Sequence, residues 1–240
     1  SGPDVTPSAA CLCVSSHGEV FTGVDLNGSL GKGPGRGRIV KLTDADKDGK
    51  ADAHTVFAEV DNPRGLISVG DALYVLHTAF AEEPITVEKE NGKTEEIYLS
   101  TGMDLVVLHD RDQDGVADGP AEMLVQGICS ADAINSRGTD HSTNGIQLGI
   151  DGWIYIAVGD FGFANAKGSD GTKLTLLGGG IVRVRPDGSE MELYTSGMRN
   201  IYDVAIDPFM NVFTRGNTND GGGWNVRFNH HIQSGEYGYP

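Results

Sequence analysis

Apolar and polar positions alternate with a period of two along most of this chain, the pattern of strands with one buried face. Ile181-Val182-Arg183-Val184-Arg185 places both arginines on one side. Trp153-Ile154-Tyr155-Ile156-Ala157-Val158 is apolar at every position and reads as an inner strand covered on both faces. Pro186-Asp187-Gly188 supplies a hairpin turn. No segment carries apolar residues at helical spacing, so no amphipathic helix is expected.

These strands recur in units. A hairpin appears at 10–24, 65–77, 145–159 and 202–215, turning around His17-Gly18, Gly70-Asp71, Asp151-Gly152 and Phe209–Asn211. A second hairpin follows each, at 38–60, 104–128, 179–196 and, more weakly, 224–237. Two hairpins make four strands, and four-stranded units repeated at about 40–50 residues are the mark of propeller blades. The reading is an all-β chain, a β-propeller with repeats at 9–62, 63–142, 143–198 and 199–240. Insertions lengthen it at 80–101, which is polar and charged, and at 129–143, a loop of small and polar residues. A β-sandwich would explain the alternation but not the paired-hairpin repeat. The chain reaches Tyr239-Pro240 without a strand that closes a ring, which predicts a truncated domain of about four blade-like repeats.

Composition narrows the classes. The 35 glycines among 240 residues favour tight turns over long helices. No apolar run approaches the ~18 residues that suggest a membrane-spanning helix. A net charge of −16 is the opposite of a nucleic-acid binder's. The three cysteines form no even framework. Cys11 and Cys13 point the same way in a strand, which leaves a Cys11–Cys129 or Cys13–Cys129 bridge, or buried thiols. No signal peptide is evident, and Ser1-Gly2 reads as a tag remnant.

Part of the acidity is organised. Asp44, Asp46, Asp48 and Asp52 match Asp110, Asp112, Asp114 and Asp118 in the pattern D-x-D-x-D-G-x-x-D. Alternate carboxylates converge on one centre, and the glycine permits the sharp turn that wraps such a loop around a hard cation. Calcium is the expected ligand, with backbone carbonyls of Lys50 and Val116 completing the set. Thr55 and Ala121 stand where an EF-hand carries a bidentate glutamate, so these are loops between strands, not EF-hands.

The other candidate residues lie between hairpins. His141, in Asp140-His141-Ser142-Thr143-Asn144, is a candidate general base. Arg199 can hold an anionic group. Their order resembles the soluble quinoprotein glucose and sorbosone dehydrogenase superfamily of six-bladed propellers. The segment from His141 to Gly145 stands for an H-x-x-G-R-like motif, followed by Val158-Gly159-Asp160, Gly197-Met198-Arg199-Asn200 and Gly235-Glu236-Tyr237-Gly238-Tyr239-Pro240. Asn144 and Gly145 replace that pattern's Gly and Arg.

A closer resemblance is to the dehydrogenase-like propeller of exported planctomycete and verrucomicrobial proteins, known as membrane-bound dehydrogenase or PVC-type haem-binding proteins. It is carried by Val24-Asp25-Leu26-Asn27-Gly28-Ser29-Leu30-Gly31, Asn62-Pro63-Arg64-Gly65-Leu66, Thr143-Asn144-Gly145-Ile146 and Asn217-Thr218-Asn219-Asp220-Gly221-Gly222-Gly223-Trp224.

The resemblance implies that His141 takes a proton from a sugar or alcohol hydroxyl while hydride passes to pyrroloquinoline quinone. Arg199 and Asn200 would contact the quinone, and Gly216 and Asn217 would lie near a cofactor-linked calcium. It also implies a periplasmic or otherwise exported protein whose electrons pass to a cytochrome c domain or protein.

Two other functions fit the residues. One is a non-enzymatic, calcium-stabilised propeller that binds carbohydrate or protein. The other is a lactonase-like hydrolase that uses the same His141 with a central calcium, for which Asn144, Asp203 and Asn217 are the candidate ligands. The dehydrogenase reading requires His141 and Arg199 on one face and lining one central cavity.

Overall fold

The computed structural model describes residues 2–28, 33–217 and 225–239. Strands β1 (Ala9–Val14), β2 (Val20–Asp25), β3 (Gly37–Thr43) and β4 (Ala53–Ala58) form one antiparallel sheet in sequence order. Strands β5 (Gly65–Val69) and β6 (Ala72–Phe80) begin the second blade. A separate hairpin of β7 (Ile85–Glu88) and β8 (Thr94–Ile97) follows, then β9 (Ser100–His109) and β10 (Glu122–Gln126) resume the sheet. The third sheet contains β11 (Thr143–Leu148), β12 (Ile154–Val158), β15 (Gly179–Val184) and β16 (Glu192–Met198). Between its strands, β13 (Phe163–Gly168) and β14 (Lys173–Leu176) leave to extend the second blade, where β13 pairs with β10. The fourth sheet is β17 (Asn200–Ile206), β18 (Val212–Asn217) and β19 (Val226–His231). Short β20 (Gly235–Glu236) returns to pair in parallel with β16.

Strands β1, β5, β11 and β17 are neighbours in that order, and residues from all four line a central cavity of about 430 Å³. The fold is an all-β propeller of four blades.

Two expectations are corrected, and of the two alternatives for the cysteines the thiols hold. Residues 224–237 form no hairpin of their own: β19 completes the fourth sheet and β20 covers the edge of the third, while Trp224 lies outside the described residues. The loop at 129–143 contains a helix, α1 (Ala131–Arg137), too short for an amphipathic stripe to be read. Ser130 caps its N-terminus, and Asn135 ties it to both backbone groups of Ser100. The cysteines form no bridge; all three are free thiols. Burial pushes Cys11 and Cys13 up to about 12 and Cys129 to about 11.

The apolar core lies between blades. Ile154, Ile156 and Val158 of β12 face the second blade, packing with Leu76, Met103, Leu105 and Val125. Tyr155 and Ala157 face the fourth, packing with Ile201, Val204 and Val212. Alternate residues of one strand thus enter two cores, which is why the segment is apolar throughout. On the other side Phe21, Ile39 and Phe57 of the first blade meet Leu73, Val75, Val106 and Leu108 of the second.

Strand pairing defines two ends. Thr143 pairs with Val158, Gly179 with Met198 and Asn200 with Asn217, so the segments around His141, Asp160, Arg199 and Asn217 share one end, here the upper. The turns 44–52 and 110–118, joining β3 to β4 and β9 to β10, lie at the lower end.

Candidate functional site

At the upper end His141 enters β11 while Asp160 leaves β12. The two strands pair, so residues distant in sequence meet: His141 Nδ1 is 2.5 Å from Asp160 Oδ1. A carboxylate oxygen accepts here, so Nδ1 is the donor, and the other ring nitrogen, Nε2, lies 3.9 Å from Asp140 Oδ2. Gly159 makes the approach feasible, since a Cβ there would run into the carbonyls of His141 and Ser142. Phe161 stacks on the imidazole at 5.7 Å, and Arg137 from α1 lies over the Phe161 ring at 4.9 Å. His141 is 9% exposed, held in one orientation with little access.

The fourth blade supplies the remaining residues. Asn200 Nδ2 and Tyr202 Oη both donate to the carbonyl of Asp140, at 3.0 and 2.9 Å. Arg199 Nη1 donates to Asn217 Oδ1, and Gly216 pairs with Ile201 on the same hairpin. His141, Arg199, Asn200, Gly216 and Asn217 are therefore gathered at one mouth. Asp140 Oδ1 and Asn200 Oδ1 are buried there without hydrogen-bond partners.

One half of the dehydrogenase expectation is corrected: His141 and Arg199 share one end of the blades, but neither lines the central cavity, whose walls come from β1, β5, β11 and β17 and the residues next to them. Its walls include Cys11, Arg64, Asn144, Gly145, Tyr202 and Asp203, and not Asn217. Burial pushes the Asp203 carboxyl up from its ordinary value, opposed by the Val204 amide that donates to it.

A polar network escaped the sequence reading. Arg64 Nη2 donates to Thr139 Oγ1 at 2.6 Å and reaches Asp25 Oδ2 at 3.4 Å, while Nε donates to Asn62. Asn62 in turn donates to Asp25 and accepts from Thr78. Asp25, Asn62, Thr78 and Thr139 are all buried. Asp25 and the Asn-Pro-Arg-Gly run stood in separate motifs of the sequence; their convergence from two repeats left no signal.

At the lower end, one carboxylate oxygen from each of Asp44, Asp46 and Asp48 lies within 4.8 Å of the others, as do those of Asp110, Asp112 and Asp114. Asp52 and Asp118 stand apart from these clusters. Asp52 accepts from the amides of Ala45 and Asp46, and Asp118 from that of Arg111, so each closes its loop.

Besides the Arg64 network, the described residues hold an upper and a lower polar centre. The upper mouth can move a proton at Nε2 of an oriented histidine and hold an anion at Arg199; the lower loops offer oxygen ligands to hard cations.

Comparison with known proteins gives the family and the fold. A family model described as a domain of unknown function, DUF7133, matches residues 93–237. No curated protein matches the chain. Among solved structures, a Thermus thermophilus protein assigned as an oxidoreductase (glucose dehydrogenase) is similar with a TM-score of 0.60 at 18% identity, over 98% of this chain and 64% of that one. The PQQ-bound form of aldose sugar dehydrogenase from Streptomyces coelicolor gives 0.60 at 18%, over 97% and 62%. A glucose dehydrogenase gives 0.54 at 12%, over 98% and 64%. The chain spans less than two thirds of these three proteins. At such identities the likeness is one of fold.

Among the described residues, no helix is long and apolar enough to cross a membrane. Of the motif residues, 29–31, 218–224 and Pro240 lie outside the described residues, as does Ser1.

Proposed function

The chain belongs to the DUF7133 family, and we propose that its propeller is part of an exported, quinone-dependent dehydrogenase that oxidises a hydroxyl of a sugar or alcohol. The observation that carries this reading is the 2.5 Å His141–Asp160 pair, gathered with Arg199, Asn200 and Asn217.

The residues fit pyrroloquinoline quinone in part. The Arg199 guanidinium suits one of its carboxylates. The unpartnered oxygens of Asp140 and Asn200 suit hydroxyl donors, whether of cofactor or substrate. Gly216 and Asn217 are the proposed neighbours of a cofactor-linked calcium. When bound, the quinone supplies the hydride acceptor.

The chain's own part is proton chemistry and positioning. His141 Nε2 takes the hydroxyl proton, and Asp160 stabilises the imidazolium that results. Phe161 keeps the imidazole in one plane and excludes water from its covered face. A c-type cytochrome, as a further domain or a separate protein, is the proposed electron acceptor.

The test uses the full-length parent protein with calcium and pyrroloquinoline quinone, following quinone binding and dye reduction with a panel of sugars and alcohols. His141→Ala should lower turnover by about 10²–10⁴-fold while quinone still binds. Asp160→Asn should shift the acid limb of the rate profile, and Arg199→Ala should weaken quinone binding. Absence of saturable quinone binding would overturn the proposal.

A second reading has one observation in its favour. Asn144 and Asp203 face the central cavity, whereas His141 and Arg199 do not. A lactonase-like hydrolase with a central cation would lose activity with Asp203→Asn and retain it with Arg199→Ala. Loss of both activities with calcium stabilisation kept would leave a binding propeller.

A further inference from the structure

The two acidic loops share a sequence pattern but differ in surroundings. In the first, the backbone satisfies the leading carboxylate: Asp44 Oδ1 accepts from the Asp48 amide at 3.2 Å and Oδ2 from Gly49 at 2.9 Å. Asp46, Asp48 and Asp52 are exposed, and Lys50 reaches Asp48 at 3.9 Å from an exposed position.

In the second, Asp110 Oδ2 accepts from Gly115 at 3.1 Å, while Oδ1 is buried with no hydrogen-bond partner. The Asp110 side chain is only 9% exposed. A carboxylate oxygen removed from water and left unpaired costs free energy unless a cation or donor meets it. Lys41 Nζ meets the carboxylate incompletely, at 3.7 Å from Oδ2, because its closer partner is Glu19 at 2.9 Å.

This loop also bridges two blades. The Ala117 amide donates to the carbonyl of Phe57 in β4 at 2.9 Å, across the interface between the second and first blades. Ala117 packs on the cluster that contains Phe21, Phe57 and Leu73. Gly115 sits above the Lys41 side chain in a left-handed conformation, φ 90°. Ala51, the matching residue of the first loop, is exposed.

We propose that the Asp110 loop binds one calcium-type divalent cation ahead of the Asp44 loop and acts as a clasp between the first two blades. The ligands are carboxylate oxygens of Asp110, Asp112 and Asp114 with the Val116 carbonyl. Binding satisfies Asp110 Oδ1 and fixes the turn that presents the Ala117 amide to Phe57. Lys41 holds the same carboxylate when the cation is absent, so the clasp loosens without unfolding. The inference rests on the lower loops and is independent of the His141 reading.

The test is a titration of the protein with calcium alone, by calorimetry and by amide exchange. Two binding phases should appear, separated by about tenfold or more, as differences in site rigidity produce. Asp112→Asn should remove the tighter phase and Asp46→Asn the weaker one. In the unmutated protein, filling the tighter site should slow exchange of the Ala117 amide at least about tenfold and leave Ala51 nearly unchanged. The exchange measurement does not depend on any variant folding. Three results would overturn the proposal: no calcium binding, a tight phase removed by Asp46→Asn but kept in Asp112→Asn, or unaltered Ala117 exchange at saturation.

Discussion

His231 lies buried between two hydroxyls, with Thr195 Oγ1 3.1 Å from Nδ1 and Thr214 Oγ1 2.7 Å from Nε2. Burial, with a smaller push from the charge of His230, lowers it to about 4. The unfolded chain binds a proton at this site near pH 6.5 and the folded chain only near 4. Stability is therefore complete above about pH 6.5 and is lost as pH falls toward 4, on the order of 3 kcal/mol from this group. Denaturant unfolding of the parent protein and His231→Gln across pH 4–7 should give a shallower slope for the variant.

Residues in one local pattern were legible from sequence. The acidic loops announce themselves because alternate carboxylates and a glycine fall within nine positions. Arg64 did not, because its partners Asp25 and Thr139 lie 39 and 75 residues away in the chain. Arg64→Ala should cost about 3–5 kcal/mol by leaving Asp25 buried and uncompensated, as unfolding in denaturant would measure.

At the scale of elements, alternation identified strands because a half-buried sheet demands it. It did not reveal which sheet a strand joins. The β13–β14 hairpin lies in the third repeat by sequence yet extends the second blade. Strand β20 lies in the fourth repeat yet covers the third. Both destinations are set by backbone groups at an open sheet edge, which any polar strand can satisfy. The fully apolar β12 was the better guide, since only a strand between two cores requires such a run. Ile156→Ala should cost about 2–5 kcal/mol, because the cavity opens in a core that the adjacent blade cannot fill. The same substitution at exposed Val14 should cost under about 0.5 kcal/mol.

At the scale of the molecule, the two polar centres sit at opposite ends of the blades. Hydrogen-bonded sheets run between them, and none of the contacts described above links the two, so the centres should act independently. His141→Ala and Asp112→Asn should add in their effects on stability within about 0.5 kcal/mol in a double-mutant cycle. The propeller also explains how a histidine with an ordinary local sequence gains a defined orientation. Asp160 and Phe161 converge on it from the end of β12, and Arg137, on a helix that sequence periodicity could not place, covers the Phe161 ring.

By itself the sequence determined the class of the fold, the repeat of hairpins and the acidic loops, because strand periodicity and ligand spacing are local properties of the chain. The tertiary structure alone decided three things: which residues share the upper mouth, that His141 does not line the central cavity, and that one acidic loop bonds the preceding blade while its twin faces solvent. Each depends on how blades stack. Stacking is governed by buried area and by unpaired groups at interfaces between distant segments, and neither is written in any one stretch of the chain.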